Sequence, residues 1–226
     1  MKSTNNIDLD GLTASILGLF PSLSIFEQRL SLVLYRLLSE GEPVPRAKLA
    51  QFLDRPVEEV NRHLDAWPGV FSDEQQRIVG YWGLAIPQAY KGPHAITISG
   101  RKLSTWCAWD TLLLPQLLQQ TAEIESKSPA GSTVHLKVTP ERVENRHPAE
   151  MQMSFLLPDA AAIKKDVLNA FCHFIHFFAS KEDGRSWVEQ HPGTFLLSLD
   201  TAYELARRRN QARYPEILPY VNQRKG

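Results

Sequence analysis

Two short helical patterns on either side of a tight break restrict the fold of this chain more than any other feature of its sequence. The first pattern covers residues 45–53 and the second covers 56–67, with Asp54 and Arg55 between them. Pro56 suits the first turn of the second helix, because its ring fixes φ near the helical value and its missing N–H is not needed there. The pair therefore predicts a helix-turn-helix.

A longer helix precedes this pair and a hairpin follows it. In residues 24–38, apolar side chains recur at helical spacing behind a capping box formed by Ser24 and Glu27. In residues 70–84, apolar and polar residues alternate around a polar centre, which is typical of a β-hairpin. The helix-turn-helix and the hairpin together predict a winged-helix-like module over residues 1–88.

The composition changes at residues 87–93, PQAYKGP, and we expect a domain boundary there, after residue 88. Residues 89–226 mix strand and helix patterns, which predicts an α+β domain with a small mixed sheet and makes the whole chain an α+β protein. Strands are predicted over 95–100, 133–140, 151–158 and 172–180, and helices over 105–120, 159–171, 186–191 and 199–214. Residues 214–226 are predicted to form an unstructured tail.

The charge balance argues against nucleic acid as a partner. The chain has 25 basic and 25 acidic residues, so it has no net field that attracts phosphates. Residues 1–90 contain 8 basic and 11 acidic residues, a net charge of −3, and the second helix of the helix-turn-helix is acidic. We therefore expect the module to pack against the second domain or to act as a lid, with DNA binding as the less favoured alternative. The arginines at 207–209 and Arg213 are interpreted as a solvated charge run without a function.

The sequence also limits where the protein acts. No apolar run approaches the roughly 20 residues needed to cross a bilayer, which excludes a membrane span. Asp8 and Asp10 lie where a secretory signal carries positive charge, so we expect the protein to be cytoplasmic. Cys107 and Cys172 are the two cysteines of the chain, and in a reducing cytosol both are expected to be free thiols.

Cys107 and Asp110 are the pair of residues that most suggests chemistry. Three residues apart on a predicted helix, they lie on one face, where the carboxylate can take or return the proton of the thiol. The alternative is a buried cysteine beside a helix-capping aspartate, which is the commoner arrangement.

Cys172 and His176 alternate onto one face of the predicted strand and can be interpreted as metal ligands. A hydrogen-bonded core histidine is the favoured alternative for His176. A zinc site made of both cysteines, Asp110 and His176 lacks the close paired spacing of structural zinc motifs.

Three strings of residues carry a resemblance to a known family. They are GRKLSTWCAWDTLLLP (100–115), HPAEMQMSFLLP (147–158) and FCHFIHFFAS (171–180), and they closely resemble the bacterial organomercurial lyases, also called alkylmercury lyases. The resemblance extends over about residues 80–213 with compatible spacing. It also fits the start of the chain, because this family carries a winged-helix-like N-terminal region that does not regulate transcription.

The resemblance implies that Cys107, Asp110 and Cys172 are the catalytic residues and that the same three residues hold the metal. Two positions depart from the family pattern. Trp109 stands where an aliphatic residue is commoner, and Ser128 stands where some members have a further cysteine. We expect the first change to reshape the pocket, and the second to remove a residue that the chemistry does not require.

The implied reaction is protonolysis of a carbon–mercury bond in a small organomercurial substrate. Mercury(II) is a soft ion that prefers thiolate sulfur, so Cys107 and Cys172 suffice to hold it, and Asp110 can carry a proton from a thiol to the carbon. The products are a hydrocarbon and a mercuric ion held by the two cysteines. The resemblance implies no organic cofactor, and it implies that the mercuric product passes to cellular thiols or to a mercuric reductase.

Trp106, Trp109, Phe171 and Phe174 are expected to form an apolar pocket for the organic group, or to be ordinary core residues. The competing function is a non-catalytic, thiol-based metal-binding or metal-sensing protein of the same fold, whose helix-turn-helix contacts DNA. A sensor needs metal ligands but no proton donor, so Asp110 favours the enzyme. The preference between alkyl and aryl mercurials and the oligomeric state stay open at this point.

Overall fold

Four helices build the first part of the molecule, in a computed structural model that describes residues 8–19, 22–157 and 159–218. The helices are α1 (Leu9–Leu17), α2 (Ile25–Leu38), α3 (Arg46–Leu53) and α4 (Val57–Ala66). The predicted capping box begins α2: the Ser24 hydroxyl accepts from the Glu27 N–H, and the Glu27 carboxylate accepts from the Ser24 N–H at 2.9 Å. Asp54 ends α3 in the left-handed conformation, with φ 51°, and this makes the tight break before α4.

A hairpin and a short third strand follow the helix-turn-helix. Strands β1 (Val70–Ser72), β2 (Ile78–Tyr81) and β3 (Leu84–Ala85) pair in that order and antiparallel. Val44, which precedes α3, exchanges backbone hydrogen bonds of 2.8 and 2.9 Å with Ile78, so the wing is attached to the helices. The predicted helix-turn-helix and hairpin are confirmed.

The wing strands continue into a large sheet. Its other members are β4 (His94–Ile98), β5 (Arg101–Thr105), β6 (Ala122–Lys127), β7 (Thr133–Val138) and β8 (Val143–His147), in the order β1-β2-β3-β5-β4-β6-β7-β8. Every neighbouring pair in this sheet is antiparallel. The α+β class is confirmed. The sheet is larger than the small sheet predicted, because the wing strands join it through the pairing of β3 with β5, and it is antiparallel instead of mixed.

A second, three-stranded sheet and five helices complete the described residues. The strands are β9 (Gln152–Leu156), β10 (Phe177–Phe178) and β11 (Thr194–Ser198), in the order β10-β9-β11. The helices are α5 (Asp110–Leu118), α6 (Ala160–Lys165), α7 (Val167–Ala170), α8 (Lys181–Gln190) and α9 (Leu199–Arg213), with a 3-10 turn at Cys172–Phe174. Helix α9 packs against both α1 and α5, which joins residues 199–213 to the first described helix of the chain.

Two predicted elements that carry site residues differ from the structure. The helix predicted from residue 105 begins at Asp110, because Thr105 still pairs with both Leu84 and His94 in the large sheet. The strand predicted over 172–180 is a 3-10 turn followed by the two-residue β10. The Ser154 hydroxyl donates to the Phe174 carbonyl at 2.7 Å and accepts from the His176 N–H at 2.9 Å, and these bonds hold the chain in a turn.

Two other predictions concern segments near the end of the chain. The predicted helix over 159–171 is divided at Asp166, whose extended backbone ends α6 and whose side chain caps α7. Of the tail predicted to be unstructured, residues 219–226 lie outside the described residues.

A hydrogen-bonded cluster ties the two parts of the chain together in the core. The buried hydroxyl of Ser31 on α2 lies 2.8 Å from the Tyr214 hydroxyl and accepts a hydrogen bond of 2.9 Å from Tyr81 on β2. The Tyr35 hydroxyl donates to the Trp82 carbonyl at 2.8 Å, which fixes the turn between β2 and β3. Within the described residues, no helix combines the length and the apolar character needed to span a bilayer.

Candidate active site

The two cysteines and Asp110 come together from two turns of the chain. Cys107 lies between β5 and α5, Asp110 is the first residue of α5, and Cys172 begins the 3-10 turn. The Ala108 N–H donates to the Ile175 carbonyl at 3.1 Å, which holds the two turns against each other. One sulfur or carboxylate oxygen from each of the three residues lies within 4.8 Å of the others.

The carboxylate of Asp110 is enclosed on two sides. The Cys107 N–H donates to Asp110 Oδ2 at 2.9 Å. The two residues are therefore brought together by a turn, whereas the sequence predicts a helix that contains both. On another side lies Gly83, in the turn between β2 and β3, with φ +93°. A Cβ added to Gly83 would lie 2.4 Å from Asp110 Cγ, so this close approach requires glycine.

The environment of Asp110 suits proton transfer. Burial raises the pKa of this carboxyl group, while the hydrogen bonds from Cys107 and the positive charge of Arg209 lower it. Burial has the larger effect, and the resulting pKa is about 6. A group with this pKa is mostly ionised at neutral pH, yet it can be protonated at a small cost in free energy. Both properties are needed in a residue that takes up a proton and then donates it.

Both cysteines are free thiols and both are buried. Burial raises the pKa of Cys107 well above its usual range, and the contacts with Cys172 and Asp110 raise it further. For Cys172, the hydrogen bond with Cys107 lowers the pKa, but burial and the charge of Asp110 outweigh it and the net direction is upward. The two thiols are therefore protonated at neutral pH, and a base is needed to form a thiolate.

A cavity of about 40 Å³ lies beside these groups. Asp110 and Cys172 line it, and Cys107 is fully buried next to them. Both parts of the chain form its walls, and the residues from the first part are Ile16, Leu19, Trp82 and Gly83. The N-terminal module thus closes one side of the site, which agrees with the expected packing or lid role.

Three of the four aromatic residues expected in the pocket line the cavity: Trp106, Trp109 and Phe171. Phe174 instead faces His191, with ring centroids 6.3 Å apart. The indole N–H of Trp109 donates to the Ala202 carbonyl at 3.1 Å, so this departure from the family pattern is anchored to α9.

The other departure, Ser128, lies in the connection between β6 and β7. Its N–H donates to the Ser132 carbonyl at 2.7 Å and its hydroxyl accepts from the Ala130 N–H at 3.2 Å. The side chain thus stabilises a turn.

His176 does not join the cluster of Cys107, Asp110 and Cys172. Its Nε2 lies 2.8 Å from the His173 carbonyl and its ring packs edge-on against Trp187. It is the hydrogen-bonded histidine that the alternative interpretation described, and the four-ligand zinc arrangement is wrong.

Arg209 is the cavity residue whose position the sequence did not reveal. Only 5% of it is exposed, and it lines the cavity with Asp110, so the interpretation of 207–209 as a solvated run is wrong at this position. Arg207 and Arg208 pair with Glu204 at the surface. The spacing of apolar residues in the sequence could have indicated this position. One stripe of the helix contains Arg209 together with three buried apolar residues, Ala202, Leu205 and Ala206.

Comparison with known proteins agrees with this fold and cluster. Residues 89–211 match the family described as alkylmercury lyase, and residues 26–82 match the helix-turn-helix domain of alkylmercury lyase. The alkylmercury lyase of Staphylococcus epidermidis is 39% identical over 82% of this chain and 83% of its own length. Those of Bacillus cereus and Streptomyces lividans are 36% and 38% identical, over 82% and 77% of this chain and 82% and 78% of their own lengths.

A solved structure, the mercury-bound form of MerB2, has the same fold, with a TM-score of 0.69 and 22% identity over 90% of this chain and 98% of that one. Fold and sequence together define a lyase built from a winged helix and an α+β domain. The chain belongs to the alkylmercury lyase family.

Proposed function

We propose that Cys107, Asp110 and Cys172 carry out the reaction of this enzyme, an organomercurial lyase that cleaves carbon–mercury bonds. The observation that supports this assignment most strongly is the buried cluster, in which two sulfurs and a carboxylate lie within 4.8 Å of one another. Two thiols and one proton carrier are the groups that protonolysis of a carbon–mercury bond requires.

The first step is exchange of ligands on mercury. An organomercurial in the cell carries a thiolate, R–Hg–SR′, and one cysteine thiol replaces it, giving R–Hg–S–Cys and releasing R′SH. Mercury(II) binds sulfur strongly, and a thiol that ligates a metal ion loses its proton even where burial has raised its pKa.

The second step brings the other cysteine onto mercury. Asp110, ionised at neutral pH, takes the proton of that thiol, and the resulting thiolate binds the metal. Two sulfur donors now increase the electron density on mercury and make the attached carbon more basic. The three reacting residues and the organomercurial together keep a net charge of −1 throughout, which moves from the carboxylate to the metal complex.

The third step breaks the bond. The protonated Asp110 donates its proton to the carbon, the electron pair of the carbon–mercury bond goes to that carbon, and the hydrocarbon R–H leaves. The mercuric ion stays on the two sulfurs and Asp110 is again a carboxylate, so nothing is oxidised or reduced. Asp110 also contacts the metal site, as the third of the three metal-holding residues.

Other features of this function follow from the chemistry. The reaction needs no organic cofactor, and its mercuric product leaves by exchange with cellular thiols or with the cysteines of a mercuric reductase. The two free thiols suit the reducing cytoplasm. The N-terminal module, residues 1–88, closes the site and binds no nucleic acid, while residues 89–226 supply the reacting groups.

Incubation of the purified protein with phenylmercury and excess thiol tests this function. We expect benzene in the headspace and one mercuric ion for each benzene. The competing function, a thiol-based metal-binding or sensing protein, predicts that phenylmercury is bound and no benzene is formed.

A further inference from the structure

A second apolar depression lies next to the reaction cavity and has no part in the steps above. Its volume is about 310 Å³, against about 40 Å³ for the cavity. The exposed residues Phe71 and Ala89 form part of its rim. Its other walls include Val79, Ala85, Tyr90 and Leu168. We refer to this depression as the outer groove.

Trp106 separates the outer groove from the cavity, because it lines both. Its ring lies 6.4 Å from that of Trp82, which borders the cavity, and contacts Phe71 in the groove edge-on at 5.1 Å. In α7 the two spaces are lined by consecutive residues, Val167 in the cavity and Leu168 in the groove. The indole ring of Trp106 is thus part of a wall that the two spaces share.

Tyr90 gives a second link between the outer groove and the reacting groups. Its hydroxyl approaches the Trp106 carbonyl at 3.5 Å. Burial raises the pKa of Tyr90 to about 12, and nearby Cys172, Cys107 and Asp110 contribute to that rise. The inner wall of the groove is therefore within electrostatic reach of the three site residues.

The two volumes suggest that the cavity and the outer groove hold organic groups of different size. The cavity has room for a few water molecules, and so for a methyl or similar group beside the cysteines. A phenyl or larger group attached to mercury has to extend further. The outer groove shares Trp106 with the cavity and offers apolar surface that can shield such a group from water, and burial of such surface stabilises a complex by roughly 25 cal/mol per Å².

We infer that the outer groove is a binding site for the organic group of aryl mercurials, and that Trp106 moves aside to admit it. This inference rests on the proposed function and names a substrate class for the same site. It assigns substrate selection to residues of the wing, of α7 and of the connection between β3 and β4, none of which takes part in the chemistry.

The test fills the outer groove from its rim. Ala89→Trp places an indole in the groove, and Gln88→Trp, at the exposed neighbouring position outside the groove lining, is the matched control. The quantity measured is kcat/KM for 1-naphthylmercury divided by kcat/KM for methylmercury. The indole of Ala89→Trp takes the place of the aryl group and so removes its apolar contacts with the groove. We expect this to lower the ratio about tenfold or more, and we expect Gln88→Trp to leave it within about twofold of wild type.

An unchanged ratio in Ala89→Trp, or an equal fall in both variants, would overturn the inference while leaving the proposed function intact, since wild type would still release both hydrocarbons. Failure of wild type to release either hydrocarbon would instead contradict the function itself. A measurement on the wild-type protein keeps the test independent of how the variants fold. In crystals soaked with bromobenzene, we expect the anomalous signal of bromine in the outer groove, and a groove without bromine would contradict the inference.

Discussion

Gly83 and Asp110 belong to different parts of the chain, and the backbone of the first lies directly against the carboxylate of the second. A Cβ on Gly83 would lie 2.4 Å from both Cγ and Oδ1 of Asp110. The turn between β2 and β3 is therefore a wall of the proposed active site. Through this contact the winged helix reaches the proposed site, and the proposed function assigns it a role there that requires no DNA.

Gly83→Ala is expected to lower turnover about tenfold or more. The added methyl group displaces the carboxylate of Asp110, and a shift of about 1 Å in a reacting group can reduce a rate about 100-fold. Gly100→Ala is the matched control, because Gly100 also has a positive φ, +77°, but a Cβ there meets nothing within 4 Å. Each change costs about 1–3 kcal/mol in free energy of unfolding through backbone strain. Equal turnover in the two variants, measured as hydrocarbon release, would show that the Gly83 contact does not position Asp110.

Cys107→Ser and Cys172→Ser are each expected to reduce hydrocarbon release to the background rate. One sulfur can hold an organomercurial, but it cannot supply the second thiolate that makes the carbon basic. Ser128→Cys adds a third thiol in the connection between β6 and β7 and is expected to rescue neither variant. A single cysteine variant that keeps a tenth of wild-type turnover would remove that cysteine from the mechanism.

Stability at acid pH is expected to depend on His94. Burial lowers the pKa of this residue to about 3, from 6.5 in an unfolded chain, and its Nδ1 lies 2.6 Å from the Ser126 hydroxyl. As pH falls below 6.5, the unfolded chain takes up a proton that the folded protein does not, so the free energy of unfolding decreases until pH reaches about 3.

His94→Gln should therefore flatten the dependence of unfolding free energy on pH between about 6 and 4, by up to roughly 1.4 kcal/mol per pH unit. Urea titrations at several pH values give this slope. His135→Gln, on the exposed face of β7, is the control. If both variants keep the wild-type slope, His94 is not the group responsible.

No specific DNA binding is expected at physiological salt. The second helix of the helix-turn-helix, α4, carries Glu58 and Glu59 in its first turn, and Asp65 near its end pairs with Arg46. These carboxylates oppose approach to phosphates. Fluorescence anisotropy with a pool of labelled duplexes checks this, and a sequence-dependent rise that persists at 150 mM salt would contradict it.

The sequence predicts local structure well where local interactions decide it. The capping box at Ser24 and the break at Asp54 each depend on residues within one or two turns, and both were predicted correctly. The segment after Cys172 was not, because its aromatic residues favour a strand while the Ser154 hydroxyl, far away in the chain, holds the backbone in a turn.

The same distinction applies to the active site. The two strings around Cys107 and Cys172 identify the family and with it the three proposed site residues. Gly83 and Arg209 could not be assigned in this way, because their roles arise from packing between the wing, α5 and α9. Periodicity places Arg209 on a buried stripe, but only the fold brings that stripe to the cavity.

Asp110→Asn is the variant that separates an enzyme from a protein that only binds mercury. Asparagine keeps the size of the side chain and both sulfur ligands, but it cannot carry a proton from a thiol to carbon. A general acid–base group contributes about 10² to 10⁴ in rate, or roughly 3–5.5 kcal/mol of barrier, so turnover should fall by at least that factor.

Native mass spectrometry of Asp110→Asn after incubation with phenylmercury tests this proton transfer most directly. We expect a stable adduct whose mass includes both mercury and the phenyl group, whereas wild type treated in the same way carries mercury alone. If Asp110→Asn carries mercury alone and releases benzene at more than about a tenth of the wild-type rate, Asp110 is not the proton carrier and the proposed mechanism is wrong.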